Sequence, residues 1–146
     1  MTELDDRYFE ILMIEDNPGD VLLVSEALKE EQCKSHLHWV KDGVEATSFL
    51  CQEHPFRNAP RPDLILLDLN LPRKNGFETL QFIKNNEQLK IIPVIVLTSS
   101  HAEADINASY KSHANCYVSK PSDLNQFMRL IRGINEFWFQ SVRLPN

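Results

Sequence analysis

The chain has 146 residues, of which 42% are hydrophobic and 25% are charged, and its net charge is −6. This ordinary globular composition leaves little room for a second core, so we expect residues 1–146 to form a single domain. No window approaches the roughly 18 consecutive apolar residues of a membrane span, and the acidic N-terminus is unlike a signal peptide. The negative charge also disfavours nucleic acid and anionic lipid. We therefore expect a cytoplasmic protein that binds neither nucleic acid nor membrane.

Short apolar runs alternate with stretches of helical periodicity along the chain. This alternation predicts a parallel α/β sheet built from five strand–helix units. Three of the runs are continuous rather than alternating, as in strands that are covered on both faces. In chain order the five predicted strands are residues 11–14, 36–40, 64–67, 91–97 and 115–119. The proline-rich stretch 54–62 predicts a surface connection before the third strand.

Capping residues mark the starts of three predicted helices. Asn17-Pro18 supplies an N-cap and a proline at the first helical position, and Ser122-Asp123 can open the last helix. The stretch from Ser100 to Glu103 fits a capping box for the fourth helix. The last helix carries an apolar stripe that should face the sheet, consisting of Leu124, Phe127, Met128, Ile131, Ile134 and Trp138.

Polar side chains follow four of the predicted strands. Glu15 and Asp16 end the first strand, Asp68 the third, Thr98 the fourth, and Lys120 follows the fifth. Because ligands of an open α/β sheet bind outside the carboxyl ends of its strands, these groups should meet at one edge. Crowded carboxylates favour a hard divalent cation such as Mg²⁺, while a hydroxyl and an ammonium suit a phosphate. Asp68 is the central candidate for a nucleophile that takes a phosphoryl group.

Single residues of this set have simpler explanations. Asp68 alone could be a turn or capping residue, and Lys120 alone could be a solvated surface lysine. Their combination in one ordered pattern favours the site. Ser99 and Ser100 compete with Thr98 as the phosphate-facing hydroxyl, and we prefer Thr98 because it directly ends the apolar run.

Three cysteines and two histidines have metal-binding side chains, but their spacing does not support a site. Cys33, Cys51 and Cys116 form an odd set without C-x-x-C spacing, which disfavours disulfides and zinc and predicts buried small hydrophobic residues. His36 and His38 alternate along the second strand and should share one face. Without a third ligand nearby in the sequence, a solvated or helix-covered face is the preferred interpretation.

Four separated motifs occur in an order that resembles the bacterial two-component response-regulator receiver domain. They are Glu15-Asp16-Asn17, Asp68 to Pro72 with Gly76, Thr98, and Tyr117 to Pro121. The resemblance covers about residues 9–138, which leaves 139–146 as a C-terminal extension and no output domain. It implies a flavodoxin-like (βα)5 three-layer sandwich, with a parallel five-stranded sheet of order 2-1-3-4-5 and helices on both faces.

The resemblance also implies a role for each matching side chain. Asp68 would accept a phosphoryl group from a sensor histidine kinase, and Thr98 and Lys120 would contact that group. The implied Mg²⁺ ligands are Asp16 and Asp68 directly, Glu15 through water, and the backbone carbonyl of Asn70.

The same resemblance implies a conformational switch. Thr98 would turn toward the phosphoryl group and Tyr117 would move inward, which changes the surface of the fourth helix, fifth strand and fifth helix. The Lys120–Pro121 peptide bond would be cis, which proline makes accessible.

Three stretches, residues 61–72, 85–90 and 137–145, are similar to cyanobacterial phytochrome response regulators. This similarity implies a phytochrome-type histidine kinase as partner and a homodimer. Consecutive residues of a helix point in different directions, so at least one of the aromatic residues 137–139 should contact a partner or the tail.

Three other classes of protein share parts of this inventory. A haloacid-dehalogenase-like phosphatase would need a second Asp as general acid and base, and Asn70 at that position cannot transfer a proton. A flavodoxin-like redox carrier would need a hydroxyl- and glycine-rich loop where Glu15-Asp16 stands. A pseudo-receiver would lack the acceptor or the lysine. We therefore expect no enzyme for external substrates, only a phosphoacceptor with intrinsic Mg²⁺-dependent autophosphorylation and autodephosphorylation.

Overall fold

The computed structural model describes residues 8–30 and 34–145, so Cys33 lies outside the described residues. Strands alternate with helices as the sequence predicts. In chain order the elements are β1 (Phe9–Ile14), α1 (Pro18–Glu30), β2 (Ser35–Val40), α2 (Gly43–Leu50), β3 (Leu64–Leu67), α3 (Gly76–Asn85), β4 (Val94–Thr98), α4 (Glu103–Lys111), β5 (Cys116–Ser119), α5 (Leu124–Ile134) and a π-helical segment (Asn135–Ser141). Among the described residues, no helix has the length and apolar character to cross a membrane.

The five strands form one parallel sheet in the order β2-β1-β3-β4-β5. Ile14 of β1 lies between Val40 of β2 and Leu67 of β3, and Thr98 of β4 pairs with Ser119 of β5. The strand order reverses at the boundary between β1 and β3, which is where an open α/β sheet binds its ligands. The predicted sheet order is confirmed.

Apolar layers cover both faces of the sheet, because successive side chains of a strand point to opposite faces. The layer against α2 and α3 includes Leu12, Ile14, Leu67, Phe49, Leu80 and Ile83. The layer against α1 and α5 includes Ile11, Met13, Leu64, Val24, Ala27 and Ile131. The predicted three-layer sandwich with helices on both faces is therefore confirmed.

Two of the three predicted helix starts are confirmed. The Asn17 side chain accepts the backbone N–H groups of Gly19 and Asp20 at the start of α1, and Asp123 caps α5. The predicted capping box of α4 is wrong, because this helix begins at Glu103 after Ala102 without a side-chain cap. The Ser100 hydroxyl instead donates to the Asp105 carboxylate at 2.6 Å, which is a stronger acceptor than a neutral group.

Several residues expected in the core are at the surface. β4 starts only after Pro93, which lacks the N–H that a central strand needs, and this leaves Ile91 exposed outside the strand. Leu124, the first residue of α5, is also exposed. Cys51 follows α2 and is also exposed, while Cys116 is half-buried. The prediction of buried cysteines is therefore wrong for Cys51.

The connection between α2 and β3 is irregular and largely exposed, as the prolines of residues 54–62 predict. Its His54–Pro55 bond is the cis peptide of the described residues. The predicted cis bond at Lys120–Pro121 is wrong, and a prolyl bond still favours trans by about 0.5–1 kcal/mol where nothing else intervenes.

Candidate functional site at the carboxyl edge of the sheet

Three carboxylates meet at the carboxyl edge of the sheet. Glu15 and Asp16 follow β1, and Asp68 follows β3. One ligand oxygen from each lies within 4.8 Å of the other two. Glu15 is only 1% exposed and Asp68 is buried, whereas Asp16 is exposed. The cluster is therefore anchored on one side and open to solvent on the other.

The two oxygens of Asp68 have different neighbours. Oδ1 accepts the Thr98 hydroxyl at 2.8 Å and the backbone N–H of Asn70 at 3.1 Å. Oδ2 accepts the Lys120 ammonium at 3.3 Å. Thr98 is fully buried, whereas Ser100 is bonded to Asp105, so Thr98 is the hydroxyl that faces Asp68.

Lys120 joins three carboxylates although its side chain is only 7% exposed. Its ammonium lies 2.5 Å from Glu15, 2.8 Å from Asp20 and 3.3 Å from Asp68. Sequence reasoning missed Asp20, which lies in the first turn of α1. The signal for it was its position three residues after the capping Asn17, because α1 begins at the edge where β1 ends.

Charge and burial shift the protonation of the site. Burial raises the pKa of Glu15 to about 8, and the charge of Asp68 adds to this while Lys120 opposes it. Burial alone would lower the pKa of Lys120, but the hydrogen bonds to Asp20 and Glu15 outweigh it and raise that pKa. One ammonium thus faces an excess of carboxylates, and a cation at the cluster would relieve their repulsion.

The carboxylate cluster suits a hard divalent cation. Glu15, Asp16 and Asp68 offer anionic oxygens at mutual distances that a single ion can bridge. The backbone of Asn70 lies against the same cluster, since its N–H donates to Asp68. Carboxylate and backbone oxygens are the ligands that Mg²⁺, Ca²⁺ and Mn²⁺ prefer.

The loop after Asp68 is fixed by close backbone contacts. Gly76 donates its N–H to the Leu69 carbonyl, and a Cβ on Gly76 would lie 2.5 Å from the Asp68 carbonyl oxygen. Only glycine allows this approach of α3 to the end of β3. Arg73 also binds Asp42, the buried N-cap of α2, with two nitrogens at 2.6 and 2.9 Å.

Two aromatic side chains connect this edge with its surroundings. The Trp39 indole N–H donates to the Glu15 carbonyl, a contact that sequence reasoning missed. Tyr117 is half-buried, and its hydroxyl donates to the Ser100 carbonyl at 3.0 Å. The backbone N–H of Tyr117 donates to the Tyr110 hydroxyl at 3.1 Å. Tyr117 therefore joins β5 to α4 and to the loop before α4.

The second-strand histidines have a shared partner on the neighbouring strand. His36 and His38 contact the two carboxylate oxygens of Glu10 at 2.7 and 2.8 Å. Burial alone would raise the pKa of Glu10, but the hydrogen bonds with His38 and His36 outweigh burial and lower that pKa. The register that places Glu10 opposite His36 creates this cluster, and no sequence spacing could reveal it.

Comparison with known proteins agrees with the fold. The response regulator receiver domain family matches residues 11–132. Response regulator Rcp1 of Synechocystis is 48% identical over 135 residues, which cover 92% of each chain. Its Mn²⁺-bound crystal structure is similar with a TM-score of 0.91 at 47% identity, covering 94% of this chain and 99% of that one.

A second solved structure, the phosphorylated cyanobacterial phytochrome response regulator RcpA, has a TM-score of 0.93 at 46% identity. The similarity covers 96% of this chain and 100% of that one. The similarity to both structures extends over nearly the whole chain rather than over one motif. The chain therefore belongs to the response regulator receiver domain family, which signals in a phosphorylation-dependent way, and it is homologous to phytochrome response regulators.

Proposed function

We propose that Asp68 accepts a phosphoryl group from a histidine kinase of the phytochrome type. One observation carries the proposal: the buried Asp68 carboxylate lies between the Thr98 hydroxyl and the Lys120 ammonium, with two further carboxylates beside it. A carboxylate in this setting can act as a nucleophile while neighbouring donors offset the charge of the incoming group.

The transfer requires no proton from Asp68. A carboxylate oxygen forms the new O–P bond as the N–P bond to the donor histidine breaks, and the imidazole leaves with the electron pair. Lys120 keeps its proton and attracts the phosphoryl oxygens, and the Thr98 hydroxyl can turn from Asp68 toward them. The same residues would act in autophosphorylation from small donors and in hydrolysis of the acyl phosphate.

We assign the metal to Mg²⁺, held by Asp16 and Asp68, by Glu15 through water, and by the Asn70 carbonyl. The acidic cluster supports this set, and the Mn²⁺-bound structure of Rcp1 shows a divalent ion in a relative. A bound divalent ion would supply positive charge between the carboxylates and the phosphoryl oxygens. Mg²⁺ suits a site with few protein ligands because it keeps several waters.

The proposed signal is a shift of Tyr117. If the Thr98 hydroxyl leaves Asp68, the packing beside the ends of β4 and β5 would change. The half-buried Tyr117 side chain lies there, and its hydroxyl donates to the Ser100 carbonyl. Because the backbone N–H of Tyr117 also donates to the Tyr110 hydroxyl on α4, a movement of Tyr117 would change the surface formed by α4, β5 and α5.

The proposed partners are a phytochrome-type kinase and a second copy of the chain. The printed description of RcpA as a phytochrome response regulator supports the first. The second is supported by Phe137, which is 57% exposed and packs edge-on against Trp138. We place this receiver unit in the cytoplasm, where kinases obtain ATP, and expect protein contacts rather than nucleic acid to carry its signal.

A small-molecule phosphodonor tests the function directly. Intact-mass measurement should show one added phosphoryl group in the presence of Mg²⁺ and none when a chelator removes it. Asp68→Asn should abolish the gain. Asp123→Asn, which keeps the cap of α5 on an exposed residue away from the cluster, should leave it unchanged.

A gain that survives Asp68→Asn, or no gain in the wild type, would contradict the proposal. Phosphotransfer from a panel of purified histidine kinases then tests the partner. Transfer at early times should be fastest from the phytochrome-type members. Faster transfer from kinases of other sensor types would contradict the partner assignment and leave the Asp68 chemistry intact.

A further inference from the structure

Lys120 depends on three carboxylates, and two of them have other tasks in the proposed reaction. Asp68 takes the phosphoryl group, and Glu15 belongs to the cluster that would hold the metal. Asp20 lies outside that cluster, yet it binds the ammonium at 2.8 Å, closer than Asp68 does at 3.3 Å. Asp20 is therefore the one carboxylate that stays with Lys120 when the other two change partners.

The local fold holds Asp20 in place for this contact. The Asn17 side chain accepts the N–H groups of Gly19 and Asp20, which fixes the first turn of α1. The Asp20 carboxylate is 22% exposed, so it is partly shielded from competing water. A carboxylate in the first turn of a helix is also favoured by the helix dipole.

The Asp20–Lys120 contact joins elements that are far apart in the chain, since 100 residues separate the two positions. Lys120 follows β5, and Asp20 belongs to α1, which packs against α5 on the same face of the sheet. A lysine side chain has four flexible carbon–carbon bonds, so the partners of the ammonium help to define where it lies.

We propose that Asp20 is a positioning residue, which holds the Lys120 ammonium beside Asp68 through the phosphoryl transfer. The inference rests on the proposed function of Asp68. Asp20 forms and breaks no bond in the reaction and accepts a hydrogen bond from Lys120 throughout. Without it, the ammonium loses its permanent anchor and adopts the reactive arrangement less often.

The test compares Asp20→Ala and Asp20→Asn in the rate of phosphorylation by a small phosphodonor with Mg²⁺ at saturation. Asp20→Ala should lower the rate at saturating donor by about tenfold, because misplacing a charged group costs rate rather than donor binding. The half-saturating donor concentration should change less than the rate. Asp20→Asn keeps an oxygen that accepts from Lys120 and should retain most of the wild-type rate.

Three controls separate positioning from a general effect of charge, from effects that bypass Lys120 and from unfolding. Glu26→Ala removes one negative charge from an exposed site of the same helix and should leave the rate unchanged. In a Lys120→Ala background, Asp20→Ala should have no further effect, because Asp20 acts through Lys120. Thermal unfolding of each variant verifies that it is folded under the assay conditions.

Three results would overturn the inference while Asp68 is still phosphorylated. They are an Asp20→Ala rate equal to that of Glu26→Ala, an equal rate change in Asp20→Ala and Asp20→Asn, and an undiminished effect of Asp20→Ala without Lys120. A wild-type protein that gains no phosphoryl group on Asp68 would instead remove the proposed function, and the inference with it.

Discussion

Two glutamates, Glu10 within β1 and Glu15 directly after it, have surroundings that differ sharply. Glu10 is 20% exposed at its side chain and lies between two histidines, which lower its pKa. Glu15, directly after the end of β1, is 1% exposed and lies near Asp68, and its burial and the charge of Asp68 raise its pKa to about 8 against the effect of Lys120. In the Glu10 cluster, two histidines pair with one carboxylate. In the Glu15 cluster, several carboxylates share one ammonium, and a bound cation would neutralise the excess negative charge.

The difference shows that a strand can stabilise the fold while the residue after its carboxyl end serves function. Groups that are hydrogen-bonded to partners within the protein stabilise the fold without a bound ligand. Groups that repel one another persist only because the apolar strands beneath them are well packed, and they favour ligands that neutralise them. Changes at the carboxyl edge should therefore affect ligand chemistry more than changes at Glu10 do.

Removal of the Lys120 ammonium from the carboxyl edge should have the largest effect, which is on the phosphorylation rate. Lys120→Ala should reduce the phosphorylation rate by about 100-fold or more, because it removes the positive charge that faces the phosphoryl oxygens. The measurement is the rate of mass gain with saturating phosphodonor and Mg²⁺. Lys29→Ala, at an exposed lysine of α1, is the matched control and should react as the wild type. A similar loss in both variants would contradict the role of Lys120.

The pH dependence of metal affinity should distinguish the two glutamates next. Mg²⁺ must displace the proton of Glu15, so its affinity should rise by up to about tenfold per pH unit and level off near pH 8. Trp39 reports on binding because its indole donates to the Glu15 carbonyl, and Trp138→Phe removes the other indole signal. Glu15→Gln should flatten the dependence, whereas Glu10→Gln should preserve it. An affinity independent of pH in the wild type would contradict the raised pKa.

Stability without metal should also vary with pH through Glu15. Because its folded pKa is raised from 4.5 to about 8, its contribution is complete below pH 4.5 and is lost as the pH rises through 8. In chelator, urea unfolding should show a decrease of roughly 2–4 kcal/mol between pH 5 and 9 that Glu15→Gln removes. Saturating Mg²⁺ should also remove most of it. A parallel decrease in wild type and Glu15→Gln would show that other groups cause it.

The Glu10 cluster should give the smallest effect, with the opposite sign. Its folded pKa is lowered, so its contribution is present above the ordinary value of 4.5 and is lost as the pH falls. The effect should be below about 1 kcal/mol, because His36 is more exposed than buried and solvent screens the pair. Unfolding of Glu10→Gln and wild type at pH 7 and 4 measures it. A larger loss for Glu10→Gln at pH 4 than at pH 7 would contradict the assignment.

The sheet order could be predicted only from the family resemblance, whereas the ends of the strands could be predicted from the apolar runs in the sequence. Asp68 and Thr98 each end a continuous apolar run, and such runs depend on local residues alone. What stayed hidden depends on how distant elements face each other. Asp20 meets Lys120 only through the packing of α1 against the sheet, and Glu10 meets His36 only through strand register.

Local signals also failed where two chemistries competed. Ser100 matched a capping pattern, but the Asp105 carboxylate one turn later takes its hydroxyl. The apolar run that predicted the fourth strand began at Ile91, but β4 begins only after Pro93, which has no N–H for strand pairing. In both cases the apolar or capping pattern was present, and a stronger hydrogen-bonding constraint decided the structure.

The most direct test is to identify the phosphorylated residue. Reduction of the phosphorylated protein with borohydride converts an aspartyl phosphate into homoserine, which peptide mass spectrometry locates. The account predicts homoserine at position 68 alone, dependent on Mg²⁺ during phosphorylation. Homoserine at Asp16 or Asp20, or phosphate retained on a histidine such as His36, would contradict Asp68 as the acceptor.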